Sequence, residues 1–118
     1  MKTVELKIVE FIGSPLCISA DDGQKIFDKI QLLLNEGNKV VVSFEHVTMM
    51  VSLFLNVAVG QLYSVFSEKE IRNKLSVKGL ADDDMELLKK VVENAKKYYA
   101  HSEEYDLAFM VKEDDGEE

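Results

Sequence analysis

The sequence predicts an α/β domain, a mixed β-sheet of about four strands with helices packed on it. Two features carry the expectation. Strand-like segments alternate with segments whose apolar residues recur at helical spacing, in the order strand, helix, strand, helix, strand, helix. One strand-like segment, Lys39–Phe44, is β-branched and apolar without alternation, as a central strand covered on both faces is. A chain of 118 residues has room for a single core, and area scaling lets a domain of this size bury about two thirds of its unfolded surface with no disulfide or metal. The domain is expected over residues 1–100. Residues 101–118 are an acidic extension whose end is expected to be disordered.

Val4–Ile12 sets Val4, Leu6, Ile8 and Ile12 against Glu5 and Lys7, which approximates a half-buried first strand that turns apolar on both sides toward its end. Gly13-Ser14-Pro15 breaks the chain, and Leu16-Cys17-Ile18 is short enough to be a second strand or a linker. Ser19 or Asp21 caps a helix whose Ile26, Phe27, Ile30, Leu33 and Leu34 share one face, and Gly37 stops it. After the central strand, Glu45–Thr48 reads as a turn or short extension. Ser52–Phe66 then reads as one helix, apolar nearly all round, and such a helix is either buried or presents part of its surface to a partner. Gly60 within it costs about 1 kcal/mol against alanine, which a close approach of helix to sheet would explain. Glu68–Lys74 carries a short helix and Leu75–Leu80 a strand. Asp82, Asp83 and Asp84 open a last helix with an apolar stripe from Met85 through Leu88, Val91 and Ala95 to Tyr98 and Tyr99. Beyond it, Tyr105–Val111 reads as an edge strand or a short helix.

Charge and cysteine content exclude several classes. The net charge is −8, but it is concentrated: residues 103–118 hold Lys112 against eight acids, and the remainder is nearly neutral. An acidic chain with no basic patch lacks the field that displaces counterions from nucleic acid, so no nucleic-acid partner is expected. Cys17 is the only cysteine and cannot form an internal disulfide, and with two histidines it falls short of a structural zinc site. Asp82–Asp84 with Glu86 lack the spacing and glycine of a calcium-binding EF-hand loop. No glycine-rich phosphate loop is present, and neither a cofactor nor a metal is expected. Met1–Lys7 does not read as the start of a signal peptide. The longest apolar stretch, Met49–Val59, is interrupted by Ser52 and Asn56, so no membrane association is expected and a cytoplasmic location follows.

Lys39–Phe44 followed by Val47-Thr48-Met49-Met50-Val51-Ser52-Leu53-Phe54-Leu55-Asn56 resembles the hallmark of the STAS fold of anti-anti-sigma factors, in which a serine opens the helix after an apolar strand and short turn. The closer resemblance is to a bacterial STAS-like domain family of unknown function. Its features are matched by Ser52, Phe54 and Asn56 leading into Gly60-Gln61-Leu62, by Asp21-Asp22-Gly23, and by Leu75–Asp84 leading into Asn94–Tyr99. The resemblance covers roughly Cys17–Tyr99 and implies a STAS-like fold with a switchable protein-binding surface used in signalling. In anti-anti-sigma factors the serine at the helix start is phosphorylated by an ATPase-type kinase that binds the unmodified form. The matching phosphoacceptor here is Ser52, and the implied partner is such a kinase or an anti-sigma-like protein. Ser43 and Val51 stand where those factors carry acidic residues.

Each candidate also has a plainer role. Ser52 at a helix start serves as an N-cap worth about 1 kcal/mol; phosphorylated, it would place about two negative charges beside Met49, Met50 and Leu53 and repel an apolar partner. Met49, Met50, Val51, Leu53 and Phe54 form either such a contact surface or ordinary core. Asn56, one turn after Ser52, either lines the same edge or simply faces solvent. A hydrolase built on Ser52 and His46 would lack nucleophile-elbow glycines, and with no carboxylate but Glu45 beside the histidine no enzymatic activity is expected. Cys17 between Leu16 and Ile18 reads as a small buried hydrophobe. The rival to a STAS-like binding module is an acidic inhibitor or antitoxin-like protein that binds a basic partner through its C-terminal tail. The first strand also offers an edge to a second copy, leaving a homodimer open.

Overall fold

The computed structural model describes residues 2–100. Its elements in order are β1 (Thr3–Lys7), α1 (Ile8–Ile12), β2 (Leu16–Cys17), α2 (Ala20–Asn35), β3 (Lys39–Ser43), β4 (Met49–Met50) and α3 (Ser52–Ala58). A 3-10 helix (Gly60–Ser64), α4 (Glu68–Lys74), β5 (Leu75–Lys78) and α5 (Asp82–Ala100) complete it. The acidic extension, including Tyr105–Val111, lies outside the described residues. Among the described residues no helix is long and apolar enough to cross a membrane.

Two expected elements divide. The segment Val4–Ile12 is a strand only as far as Lys7; Ile8 to Ile12 form one helical turn closed by Gly13, whose left-handed backbone (φ 75°) lets its N–H donate to the Val9 carbonyl at 2.9 Å. Ile8 and Ile12 are spaced for a helix as well as for a strand, and the glycine cap decides between them. The expected helix Ser52–Phe66 ends at Ala58 and resumes as the tighter 3-10 helix from Gly60. Gly60 faces α5 rather than the sheet: a β-carbon there would lie 3.7 Å from Ala95 Cβ and Val91 Cγ1, an ordinary contact distance.

Helix α2 follows its sequence signals closely. The Ser19 hydroxyl accepts the Asp22 N–H at 3.1 Å, Asp21 and Asp22 occupy the first turn, and Gly37 (φ 87°) follows its end. Helix α4 carries a full capping box, in which Ser67 accepts from the Glu70 N–H and the Glu70 carboxylate accepts from the Ser67 N–H.

The strands form two sheets, a three-stranded one in the order β1-β3-β5 and a two-stranded one of β2 and β4. Every pairing is parallel, so the expected mixed sheet of four strands is replaced by three parallel strands plus two. Helix-bearing crossovers, with no tight hairpins, separate the paired strands, and parallel pairing requires a connection of that kind. β3 is central, as its composition implied, but only one face of the sheet is covered along its length, the other being open except at Ser43, which is buried. Val4, Leu6, Val40, Val42, Leu75 and Val77 share the core face, while Thr3, Glu5, Lys39, Ser76 and Lys78 on the other are exposed. On that open face Lys78 Nζ and a Glu5 carboxylate oxygen meet at 3.0 Å across the half-buried Val41. The apolar character of β3 therefore reflects one buried face and a central place in the ladder.

The core joins Val40 and Val42 to Ile26 and Ile30 of α2 and to Phe54 and Leu55 of α3, all essentially inaccessible. Helices α2 and α3 approach closely at Gly23, where a β-carbon would lie 2.8 Å from the Phe54 carbonyl oxygen and 3.0 Å from Val57 Cβ. Glycine is required there by space, since its backbone is ordinary helix. Gly23→Ala should destabilise the protein by about 1–3 kcal/mol through overpacking, although at an open helical site the same change would stabilise by up to about 1 kcal/mol. Urea unfolding measures the sign, and a stabilised variant would show that α2 and α3 are not held this closely.

Candidate functional site

The site candidates gather where β2 and β4 meet the start of α3. Leu16 pairs with Met49 and Cys17 with Met50 in parallel register. The Thr48 N–H donates to the Pro15 carbonyl at 2.9 Å, and the Val51 N–H to the Cys17 carbonyl at 3.1 Å. Strand alternation sends Cys17 and Met50 inward and leaves Leu16 and Met49 outward. Met50, a candidate contact residue by sequence, is therefore part of the core and absent from this surface, and Phe54 is wholly buried one turn further on.

The same ladder decides how α3 begins. Because Val51 is held extended by its bond to Cys17, it becomes the N-cap (φ −118°, ψ 159°) and Ser52 the first helical residue. No side chain caps this helix, so the capping role open to Ser52 by sequence is not taken up. Ser52, Leu53 and Asn56 form the exposed face of α3, while Phe54, Leu55 and Ala58 form its buried face. Leu16, Ile18, Met49 and Leu53, at 41 %, 43 %, 55 % and 51 % exposed, are four of the large apolar side chains that the described residues leave in solvent. An exposed hydroxyl thus sits at the head of an apolar surface. Sequence reading supplied Ser52, Met49, Leu53 and Asn56 but not Leu16 or Ile18, whose place here depends on a pairing between segments more than thirty residues apart.

Asn56 continues the surface toward the end of α5. A shallow groove of about 190 Å³ is lined by Asn56, Gly60, Asn94, Ala95, Tyr98 and Tyr99. Tyr98, 62 % exposed, stands edge-to-face against Tyr99 with ring centroids 4.8 Å apart. A second cleft, of about 230 Å³, lies beside Val59, Tyr63, Ile71, Leu75 and Val92. Burial is the main cause that raises the Tyr63 phenol pKa there. Glu68, Arg72, Ser76 and Lys96 also line the cleft, and Lys96 Nζ lies 3.1 Å from a Glu68 carboxylate oxygen.

Other polar candidates remain apart. His46 sits in the exposed turn after β3 with φ 72°, in which the Val47 N–H donates to the Phe44 carbonyl at 3.1 Å. No hydrogen bond joins the Ser52 hydroxyl to His46. Gln61 spans α2 and the 3-10 helix, its amide donating to Gln24 at 3.1 Å and to the Val57 carbonyl at 2.9 Å. Among the described residues no three His, Cys, Asp or Glu side chains cluster as a metal site requires.

A parallel sheet with helices on one face, and a serine opening a helix after a short strand, define a STAS-like α/β domain. The family model of the STAS-like domain of unknown function (DUF4325) matches residues 22–85, more than half of the chain, and the chain belongs to that family. The match runs from the first turn of α2, through Gly23, β3, β4 and Ser52, to the first turn of α5. No curated protein and no solved structure matches the chain.

Cys17 is fully buried, and burial, with smaller contributions from Asp22 and Asp84, pushes its thiol pKa up to about 11 from 9.0. A neutral, inaccessible thiol is not a nucleophile. In the native protein Cys17 should therefore resist a thiol reagent at pH 8 and react fully in denaturant. Between about pH 9 and pH 11 the unfolded thiol ionises before the native one, so stability should fall across that window. Rapid native labelling, followed by mass spectrometry, would refute the burial.

Proposed function

We propose that this chain is a non-enzymatic STAS-like protein-binding module that docks a protein partner on the face formed by Leu16, Ile18, Met49, Ser52, Leu53 and Asn56, and that phosphorylation of Ser52 releases the partner. The observation that carries the reading is an exposed serine with no capping task, set at the head of an apolar surface. Core residues explain themselves by burial and scattered surface residues need no explanation. A concentration of exposed leucine, isoleucine and methionine on two short strands and a helix start does need one. Methionine at its edge adapts to the shape of a partner.

Release follows from elementary electrostatics. Phosphate adds close to two negative charges at neutral pH. In a docked complex those charges would be desolvated against apolar side chains, which costs far more than an apolar contact gains. Because α3 has only seven residues, its dipole gives the phosphate little compensation. The partner class supported by the likeness to anti-anti-sigma factors is a protein with an ATPase-type kinase fold, or one that acts like an anti-sigma factor. A cytoplasmic signalling role belongs to the same proposal.

Affinity purification of the tagged chain from its source cells, with and without ATP, should recover such a partner, lose it on ATP addition, and show phosphate on Ser52. Ser52→Asp should weaken the complex about tenfold or more, equivalent to at least about 1.4 kcal/mol, and Ser52→Ala should retain it. Leu53→Asp should abolish it without unfolding the domain, because Leu53 lies outside the core. Equal binding by the Ser52→Asp and Ser52→Ala variants in titration calorimetry would overturn the switch, and unchanged binding by Leu53→Asp would move the docking face elsewhere.

A further inference from the structure

The acidic C-terminal extension contains a segment that its composition does not explain. A solvating tail needs charge and little else, yet Tyr105-Asp106-Leu107-Ala108-Phe109-Met110-Val111 places six apolar residues in seven positions between Glu103-Glu104 and Glu113-Asp114-Asp115. Residue 105 follows the last described residue, Ala100, by a linker of four residues. Such a linker reaches at most about 18 Å to residue 105.

Surface suited to this segment lies within that reach. The groove between α3 and α5 begins at Tyr98 and Tyr99, immediately before the chain leaves α5, and all six residues lining it are uncharged. From Asn56 in the groove, the exposed face of α3 continues to Leu53 over three residues, an axial distance of about 5 Å. Tyr98 and Leu53 are both more than half exposed, so the groove and the Leu53 face form one neutral, largely apolar strip at the exit of the chain. A linker this short holds the segment at an effective concentration in the millimolar range, which favours it over an equivalent segment of a second copy.

We propose that Tyr105–Val111 of the same chain occupies the groove between α3 and α5 and the Leu53 face that continues it. The segment then covers the surface that an outside partner uses, so that partner and tail compete. This regulatory consequence rests on the reading of the Ser52 face as a docking surface, whereas the intramolecular contact does not. Leu107, Phe109 and Met110 supply the apolar area, and the flanking acids remain in solvent.

Paramagnetic relaxation in the whole 118-residue chain tests the contact. A nitroxide attached to Asp106→Cys leaves the apolar residues intact, and Cys17 is too deeply buried to take the label. Amide signals of Leu53–Val57 should be lost, and adding Phe109→Asp with Leu107→Asp should restore them, whereas the end of α5, next to the tether, is broadened in either case. Loss instead along Thr3–Lys7 or Leu75–Lys78 would assign the segment to a sheet edge and overturn the proposal. Loss at Leu53–Val57 only when a nitroxide-bearing copy is mixed with an isotope-labelled copy would assign it to a second molecule, and no loss across residues 2–90 would mean that the segment does not lie on this domain; either result also overturns the proposal. The readout requires no partner, so failure of partner docking leaves a positive result standing and failure of this contact leaves partner docking untouched.

Discussion

The contact between α2 and α3 at Gly23 is the constraint on which the rest of the structure depends. With no side chain at that position, the first turn of α2 lies against the Phe54 carbonyl and Val57. This closeness lets Phe54 and Leu55 enter the core beside Ile26 and Ile30. Burying those residues fixes the rotation of α3, and the rotation places Ser52, Leu53 and Asn56 together in solvent. Packing thus sets the surface through geometry: a single missing methyl group in α2 decides which side of α3 faces solvent.

The second determinant is the short parallel pair of β2 and β4. Two residues on each strand are a weak sheet in isolation, since most of the stability of a strand comes from packing. Here the pair is held by the inward Cys17 and Met50 and extended by the bonds from Thr48 to Pro15 and from Val51 to Cys17. Its effect on α3 is specific. By holding Val51 extended it moves the helix start one residue along and frees Ser52 from capping. A hydroxyl that carries no structural load is one a modification can change at small cost to the fold.

The three-stranded sheet offers a contrast. Its open face is polar and bridged by Glu5 and Lys78, and Val41 on it is half-buried, so it presents no large apolar area. Its charged surface contrasts with the exposed Leu16, Ile18, Met49 and Leu53 near Ser52. The open face contains Lys39 and Lys78 of the strands themselves, charges that also discourage pairing with other sheets.

By itself the sequence determined the alternation of the longer strands and helices, the position of β3 at the centre, the extent of α2 with its cap narrowed to Ser19 or Asp21, and the serine at the head of α3. Each rests on local information: alternation, helical spacing, a glycine stop, a capping hydroxyl. Family membership was legible too, through Asp21-Asp22-Gly23 and the stretch from Ser52 to Leu62. Tertiary structure alone decided what depends on distant segments meeting. It cut the first strand at Lys7, divided five strands into sheets of three and two, turned Met50 and Phe54 inward, and brought Leu16 and Ile18 to Met49 and Leu53. No local pattern encodes those outcomes, because a two-residue strand has too few residues to show a period and exposure is a property of what packs against a side chain, not of the side chain alone.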